Sequence, residues 1–320
     1  MRKREISMPK ILISDSMDSI AAQILKKNNI EVDVKVNLEP NDLKNIIPAY
    51  DGLIVRSATK VTKEIIEAAN KLKIIGRAGA GVDNIDLVSA SNKKIIVMNT
   101  PGGNTNATAE HTLALLFSLV RKIPEANYST HKGLWEKKKF KGNELNGKTI
   151  GIIGFGNVGR RFAEICFGIG LKIIIYSKYF ESIKGDFSNY FSTDLESLIK
   201  SSDIISLHCK ATSNNKSLIS MQHLNQMKNN CLLLNTARGN LIDEDDLKKA
   251  LEQKIIKGAA LDVFNEEPCT TNKLFGLNNI ILTPHIAAST DESQIIVAEM
   301  IANQFSNYFN KNEIINSIAN

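Results

Sequence analysis

The 320-residue sequence predicts an α/β protein made of two doubly wound parallel-sheet domains. Three observations predict it. Short apolar runs alternate with amphipathic stretches along almost the whole chain, the pattern of parallel β-α units. The series is broken once, at Thr100-Pro101-Gly102-Gly103, and then starts again. At 43% hydrophobic residues the chain can bury full cores, and its length favours two units over one.

In the first series, strands are predicted at Ile11-Leu12-Ile13, Gly52-Leu53-Ile54-Val55, Lys73-Ile74-Ile75 and Ile95-Ile96-Val97-Met98, with amphipathic helices over 19–27 and 62–69. After the breakers a long helical pattern covers about 104–121. The second series begins at Lys148-Thr149-Ile150 and continues with strands at 173–176, 204–207, 232–235, 259–261 and 280–282. Six strands with helices between them make a doubly wound sheet. After Pro284 there is room only for one helical pattern, about 289–309, and a short tail. That is too little for a domain, and its apolar face must be buried. The expectation is that it crosses back, so that 8–101 and 288–320 form one discontinuous domain around a second domain at 102–287.

Composition narrows the function. Apolar runs stop after a few residues, against the roughly 20 needed to span a bilayer. The basic Met1-Arg2-Lys3-Arg4-Glu5 does not lead into the apolar stretch of a secretory signal. A soluble cytoplasmic protein is expected, with no membrane partner. The net charge is +6, but the lysines are scattered and aromatics make up only 6%, so nucleic acid is not an expected partner. Cys166, Cys209, Cys231 and Cys269 show no metal-ligand spacing, and buried, reduced thiols are expected.

Gly154-Phe155-Gly156-Asn157-Val158-Gly159 has the GxGxxG spacing between a predicted strand and a predicted helix. There the glycines let a pyrophosphate approach the backbone, and the helix N-terminus favours the anion. An NAD-type dinucleotide is the expected cofactor. The usual acidic residue at the end of the next strand is absent, however, and Tyr176-Ser177-Lys178 stands there. With no carboxylate to repel a 2′-phosphate and Lys178 to attract one, NADP is admitted beside NAD.

Three later strands end in segments rich in polar groups. They are Asn235-Thr236-Ala237-Arg238-Gly239, the stretch from Leu261-Asp262 to Glu267-Pro268, and Thr283-Pro284-His285-Ile286-Ala287. Oxidising a secondary alcohol needs a base for the hydroxyl proton, and His285 suits neutral pH. Glu267 is expected to orient that imidazole and favour its charged form, and Arg238 to hold a substrate carboxylate through paired donors. Each residue alone also has a structural reading. Placed after three strands of one nucleotide-binding sheet, they fall together at the carboxyl ends where such folds bind ligands.

These motifs, with Val55-Arg56-Ser57-Ala58-Thr59, Gly76-Arg77-Ala78-Gly79-Ala80-Gly81-Val82-Asp83-Asn84 and Trp135-Glu136-Lys137-Lys138-Lys139-Phe140, resemble the D-isomer-specific 2-hydroxyacid dehydrogenases over nearly the whole chain. The resemblance implies a Rossmann-type cofactor domain plus a flavodoxin-like substrate domain. It places Arg238, Glu267 and His285 on catalytic positions and the backbone amides of Ala80 and Gly81 at the substrate carboxylate. Cofactor positions implied are Gly154, Gly156, Asn157, Val158, Gly159, Ser177, Lys178, Cys209, Thr236, Asp262 and Ala287. No metal is implied. Arg56, with Lys138 and Lys139 of a neighbouring subunit, is implied to bind a substrate phosphate, because a dianion needs several cations. A homodimer through about 104–141 is implied too. Cys209-Lys210 departs from the family's usual Pro-containing turn. A hydroxypyruvate or glyoxylate reductase would share the catalytic residues without phosphate cations, and a non-catalytic cofactor sensor would share the fold. Some relatives carry C-terminal domains that bind serine; with the chain ending at Asn320, serine regulation is not expected.

Overall fold

The computed structural model describes residues 8–178, 180–210 and 216–318; the basic stretch 1–5 lies outside them. The chain divides into two compact units, one drawn from Met1–Asn104 with Ser289–Asn320 and the other Thr105–Ala288.

The first unit is a five-stranded, wholly parallel sheet of β1 (Lys10–Ile13), β2 (Glu31–Val34), β3 (Gly52–Val55), β4 (Ile74–Arg77) and β5 (Ile96–Asn99), in the order β2-β1-β3-β4-β5. That is a flavodoxin-like order. Side chains leave a strand alternately on its two faces, so each β-run feeds two cores. Leu12, Leu53, Val55 and Ile75 pack with Ile65 and Ile66 of the helix Lys63–Ala68 on one face. On the other face Ile11, Ile13, Ile54 and Ile74 pack with Leu25 of the helix Ile20–Lys27 and with Val297, Ile301 and Phe305 of the C-terminal helix Asp291–Lys311. A Cβ on Gly76 would stand 2.3 Å from the Phe305 ring, so that glycine sets how closely the C-terminal helix lies on the sheet. Beyond the helix the tail returns to the edge strand, where Met98 bridges Ser317 antiparallel. Strand β2 is absent from the sequence expectation. Glu31-Val32-Asp33-Val34 mixes charge with apolar residues because it forms the sheet edge, where burial is incomplete.

The second unit has seven parallel strands: β6 (Thr149–Ile153), β7 (Lys172–Tyr176), β8 (Phe191–Ser192), β9 (Ile204–Leu207), β10 (Leu232–Asn235), β11 (Gly258–Leu261) and β12 (Ile280–Leu282). Their order, β12-β11-β10-β9-β6-β7-β8, reverses direction beside β6. Six strands were expected; the seventh, β8, is a two-residue edge strand too short to leave a periodic signal. The helix Thr105–Arg121 covers one face through Leu115 and Leu116, packed with Phe162 of the helix Asn157–Gly168. A further helix, Ile123–His131, begins at once, after Lys122 in a left-handed conformation. Among the described residues no helix is long and apolar enough to cross a membrane. All four cysteines are free. Cys166 and Cys231 are buried, their thiols pushed up to about 12 by burial, whereas Cys209 and Cys269 are only partly covered and so depart from the expectation.

Candidate functional site

The glycine fingerprint joins β6 to the helix Asn157–Gly168. Gly154 adopts φ +95°, and its missing Cβ would lie 2.6 Å from the His208 carbonyl, so only glycine fits the turn. A Cβ on Gly159 would stand 2.2 Å from the Gly154 oxygen, so this glycine lets the helix close on the loop. Gly156 is different: a Cβ there meets no protein atom within 4 Å. It is also the N-cap of the helix, and no side chain caps its first amides. An open approach to an uncapped helix N-terminus suits a phosphate anion, so the residues present fit a dinucleotide. Beneath the loop, burial pushes His208 down to about 3, and its Nε2 meets Ser206 Oγ at 2.8 Å. The loop therefore rests on a neutral imidazole. Ser177 comes after β7 half-buried, and Lys178 is exposed.

Strands β10, β11 and β12 are neighbours, and their carboxyl ends carry the three polar segments. The Asn235 side chain shapes the first turn, accepting from the Ala237 amide at 3.0 Å and donating to the Arg238 carbonyl at 2.8 Å. Arg238 Nη1 donates to the Ala237 carbonyl at 2.6 Å. A Cβ on Gly239 would stand 2.0 Å from the Phe264 carbonyl, so glycine there lets this turn touch the backbone of the next segment.

Glu267 Oε2 lies 2.6 Å from His285 Nδ1, and Glu267 Oε1 accepts from the Phe264 amide at 3.0 Å. The hydrogen bond to Glu267 raises the His285 pKa above its usual 6.5. Burial opposes this, the charges of Glu267 and Asp262 add to it, and the cation of Arg238 subtracts. For Glu267, burial pushes upward, but the bonds from His285 and the Phe264 amide together hold the carboxyl below its usual value. The structure thus brings Glu267 and His285 into contact with Arg238 in electrostatic reach. His285 itself has φ +53°, a conformation uncommon outside glycine, and its amide bonds the Thr283 carbonyl at 3.0 Å.

Asp262 holds that loop. Fully buried, it accepts from the Ile286 amide at 2.9 Å, the Ala287 amide at 2.8 Å and the Thr283 hydroxyl at 2.6 Å. Asp262, Thr236 and Ala287 were expected to line a cofactor. All three are buried, and the Thr236 hydroxyl is engaged with Thr112 at 2.7 Å. Their visible role is to anchor the turns that carry Arg238 and His285. Beside the His–Glu pair lies an apolar cavity of about 490 Å³, bounded by Phe264, Phe275, Leu282 and Pro284 together with Glu267 and His285.

In the first unit, Arg56 comes directly after β3. Its amide and those of its loop are gathered by the buried Asp15, which accepts from Arg56 N at 2.5 Å and from Thr59 N at 3.0 Å. The Arg56 guanidinium donates to the Ser16 carbonyl at 3.1 Å, and no carboxylate pairs with it among the described residues. Burial lowers its pKa, and the nearby charge of Asp15 works the other way. Asn99 Nδ2 fixes the Ala80 carbonyl at 2.6 Å and the Thr100 amide fixes the Gly79 carbonyl at 3.0 Å. The amides of Ala80 and Gly81 donate to no group among the described residues. Lys138 and Lys139 lie on the exposed turn Lys137–Phe140; Lys139 pairs with Glu136, whereas Lys138 has no such partner among the described residues.

Asp15 and the loop-anchoring bonds of Asn235 and Asp262 are not visible in the sequence. Acids and amides near strand ends are too common to single out, and their bonds run to backbone groups far away in sequence.

A doubly wound sheet with a glycine fingerprint at its reversal and an Arg, Glu and His set on neighbouring strand ends defines a nicotinamide-dependent class of α/β protein. Residues 113–287 match the family described as D-isomer specific 2-hydroxyacid dehydrogenase, NAD binding domain. The chain belongs to the D-isomer-specific 2-hydroxyacid dehydrogenases, and its second unit is the NAD-binding domain. It is 43% identical to a D-3-phosphoglycerate dehydrogenase of Synechocystis over 94% of this chain, and it spans 54% of that relative's length. A hydroxypyruvate reductase of Thermotoga maritima is 43% identical over 89% of this chain and 93% of its own length. Among solved structures, the NAD+-bound 3-phosphoglycerate dehydrogenase of Entamoeba histolytica is similar with a TM-score of 0.83 and 32% identity, covering 98% of this chain and 99% of its own.

Proposed function

We propose that the chain reversibly oxidises 3-phospho-D-glycerate to 3-phosphohydroxypyruvate with NAD(H), the first step of phosphorylated serine biosynthesis. The observation that carries this reading is Arg56, a half-buried guanidinium beyond β3 with no carboxylate partner among the described residues and its loop fastened by Asp15. A site built this way favours a phosphate, and Lys138 of a second copy adds the further cation a dianion needs. The unbonded amides of Ala80 and Gly81 suit the substrate carboxylate.

When bound, the nicotinamide supplies hydride exchange at the carbinol carbon. His285 exchanges the hydroxyl proton. Because Nδ1 faces a carboxylate at 2.6 Å it carries a proton donated to Glu267, which leaves Nε2 as the nitrogen that takes or returns the substrate proton. Arg238 polarises the carbonyl oxygen and balances the substrate carboxylate.

Reduction of unphosphorylated hydroxypyruvate is the second reading, supported by the Thermotoga relative, whose length this chain nearly spans. Steady-state assays of 3-phosphohydroxypyruvate, hydroxypyruvate and glyoxylate, each with NADH and NADPH, separate the two. The phosphorylated substrate is expected to lead in kcat/KM by about 100-fold or more, as for a site built around a polar group. Equal values would remove the phosphate site. Ser177 and Lys178 support some use of NADPH beside NADH, and the same grid tests this.

A homodimer through about 104–141 completes the reading. Phe117, Ile123, Tyr128, Leu134 and Trp135 expose apolar surface there, Trp135 at 87%, which supports an interface. Sedimentation of the wild type and of Trp135→Ala is expected to show a dimer weakened in the variant; a monomeric wild type overturns it.

A further inference from the structure

We propose that His111 is a positioning residue for His285, holding the loop that carries the catalytic imidazole by way of Thr283 and Asp262. The proposal rests on the reading of His285 as the proton-exchanging base. His111 lies on the helix Thr105–Arg121, away in sequence from all three catalytic segments. Its Nε2 stands 3.2 Å from Thr283 Oγ1 and 3.4 Å from Asp262 Oδ1.

The bonding fixes which atom donates. Thr283 spends its only hydroxyl hydrogen on Asp262 Oδ1 at 2.6 Å, because the carboxylate has none to give. The Thr283 oxygen therefore offers a lone pair toward His111, and both groups facing Nε2 are acceptors. Nε2 must carry the proton, and His111 donates into the Thr283–Asp262 pair.

That pair is also where the His285 loop is held. Asp262 grips the two amides just after His285, and Thr283 supplies the carbonyl that accepts the His285 amide. His285 sits between these anchors at φ +53°, a conformation that costs free energy and persists only where surrounding bonds impose it. Without the His111 proton, Asp262 and Thr283 lose a donor at a buried site, and the constraint on the loop slackens. The next residue of the same helix, Thr112, bonds Thr236 in the turn that carries Arg238. Because 111 and 112 point about 100° apart around the helix, one turn of helix serves both catalytic loops.

His111→Leu removes the donor and keeps an apolar side chain in its place. It is expected to lower kcat about 10- to 100-fold, the scale of a small misplacement of a reacting group, while the dissociation constant for NADH stays at the wild-type value. His111→Gln keeps an amide donor at similar reach and is expected to recover most of that loss. His285→Asn serves as the control. If it retains wild-type turnover, the base assignment fails and the proposal falls with it. An inactive His285→Asn beside a fully active His111→Leu overturns the role of His111 alone. A His111→Leu that loses NADH affinity in proportion to kcat, without recovery in His111→Gln, assigns His111 to general folding and also overturns the proposal.

Discussion

Gly239→Ala tests the geometry of the catalytic loops most directly. The backbone of Gly239 carries no positive φ, so the substitution is not opposed by conformation; what opposes it is space. The new methyl would stand 2.0 Å from the carbonyl of Phe264, whereas ordinary contact begins at 3.4 Å, a deficit of 1.4 Å against backbone rather than a yielding side chain. One of two loops must retreat by about that distance. If the turn at 238–241 moves, Arg238 is displaced. If the segment at 264 moves, Glu267 moves with it, because its Oε1 is bonded to the Phe264 amide. Misplacing a catalytic group by about 1 Å costs on the order of 100-fold in rate. Overpacking of this kind destabilises by about 1–3 kcal/mol. Neither loop belongs to the Gly154–Gly159 turn, so NADH affinity is expected to hold. The assay is steady-state reduction of 3-phosphohydroxypyruvate and hydroxypyruvate, NADH binding by fluorescence, and thermal unfolding. A variant that keeps wild-type kcat would refute the inference that the contact of Gly239 with Phe264 sets the spacing of Arg238 and Glu267.

Glu267→Gln removes the carboxylate that raises the His285 pKa. In the reducing direction, where His285 must be protonated, the alkaline limb of kcat/KM is expected to move to lower pH; an unmoved limb refutes the coupling. The same pair affects stability with a definite sign. The raised His285 pKa contributes fully below the unfolded value of 6.5 and is lost as pH rises through the folded value; the lowered Glu267 pKa contributes above 4.5 and is lost as pH falls through its folded value. The melting-temperature gap between wild type and Glu267→Gln is therefore expected to be widest between pH 4.5 and 6.5 and to narrow above, and a gap independent of pH counts against the pairing. Gly154→Ala forces a side chain into φ +95° against the His208 carbonyl and is expected to weaken NADH binding by about tenfold or more, equivalent to about 1.4 kcal/mol; unchanged affinity in titration contradicts the assigned turn. Phe305→Ala is expected to cost about 3–5 kcal/mol in denaturant unfolding, with a loss under 1 kcal/mol showing that the C-terminal helix is not part of the first core.

Much of the fold is legible because buried parallel strands are continuous apolar runs. Ile11-Leu12-Ile13 and Gly52 to Val55 announce themselves for that reason. Strands β2 and β8 do not: each lies at a sheet edge, half exposed, where selection for apolar residues is relaxed. The return of the C-terminal helix can be reached by elimination, since a lone amphipathic helix must bury its face, but nothing in the sequence seats Phe305 on Gly76. Lys139 reads as a cation in sequence, yet its ion pair with Glu136 is visible only in the fold.

The sequence by itself determined the chemical parts: a glycine turn for a dinucleotide, a base, an acid and a guanidinium on neighbouring strand ends, and membership of a family that uses them. These are carried by residue type and local spacing, so they survive without coordinates. The tertiary structure alone decided how the parts are held. That His285 takes a left-handed conformation, that Asp262 clamps the amides beside it, and that His111 donates into the same clamp depend on atoms brought within about 3 Å from far along the chain. Hydrogen-bond partners of this kind have no periodicity and no fixed spacing, and only the packing of the helix Thr105–Arg121 against the sheet selects them.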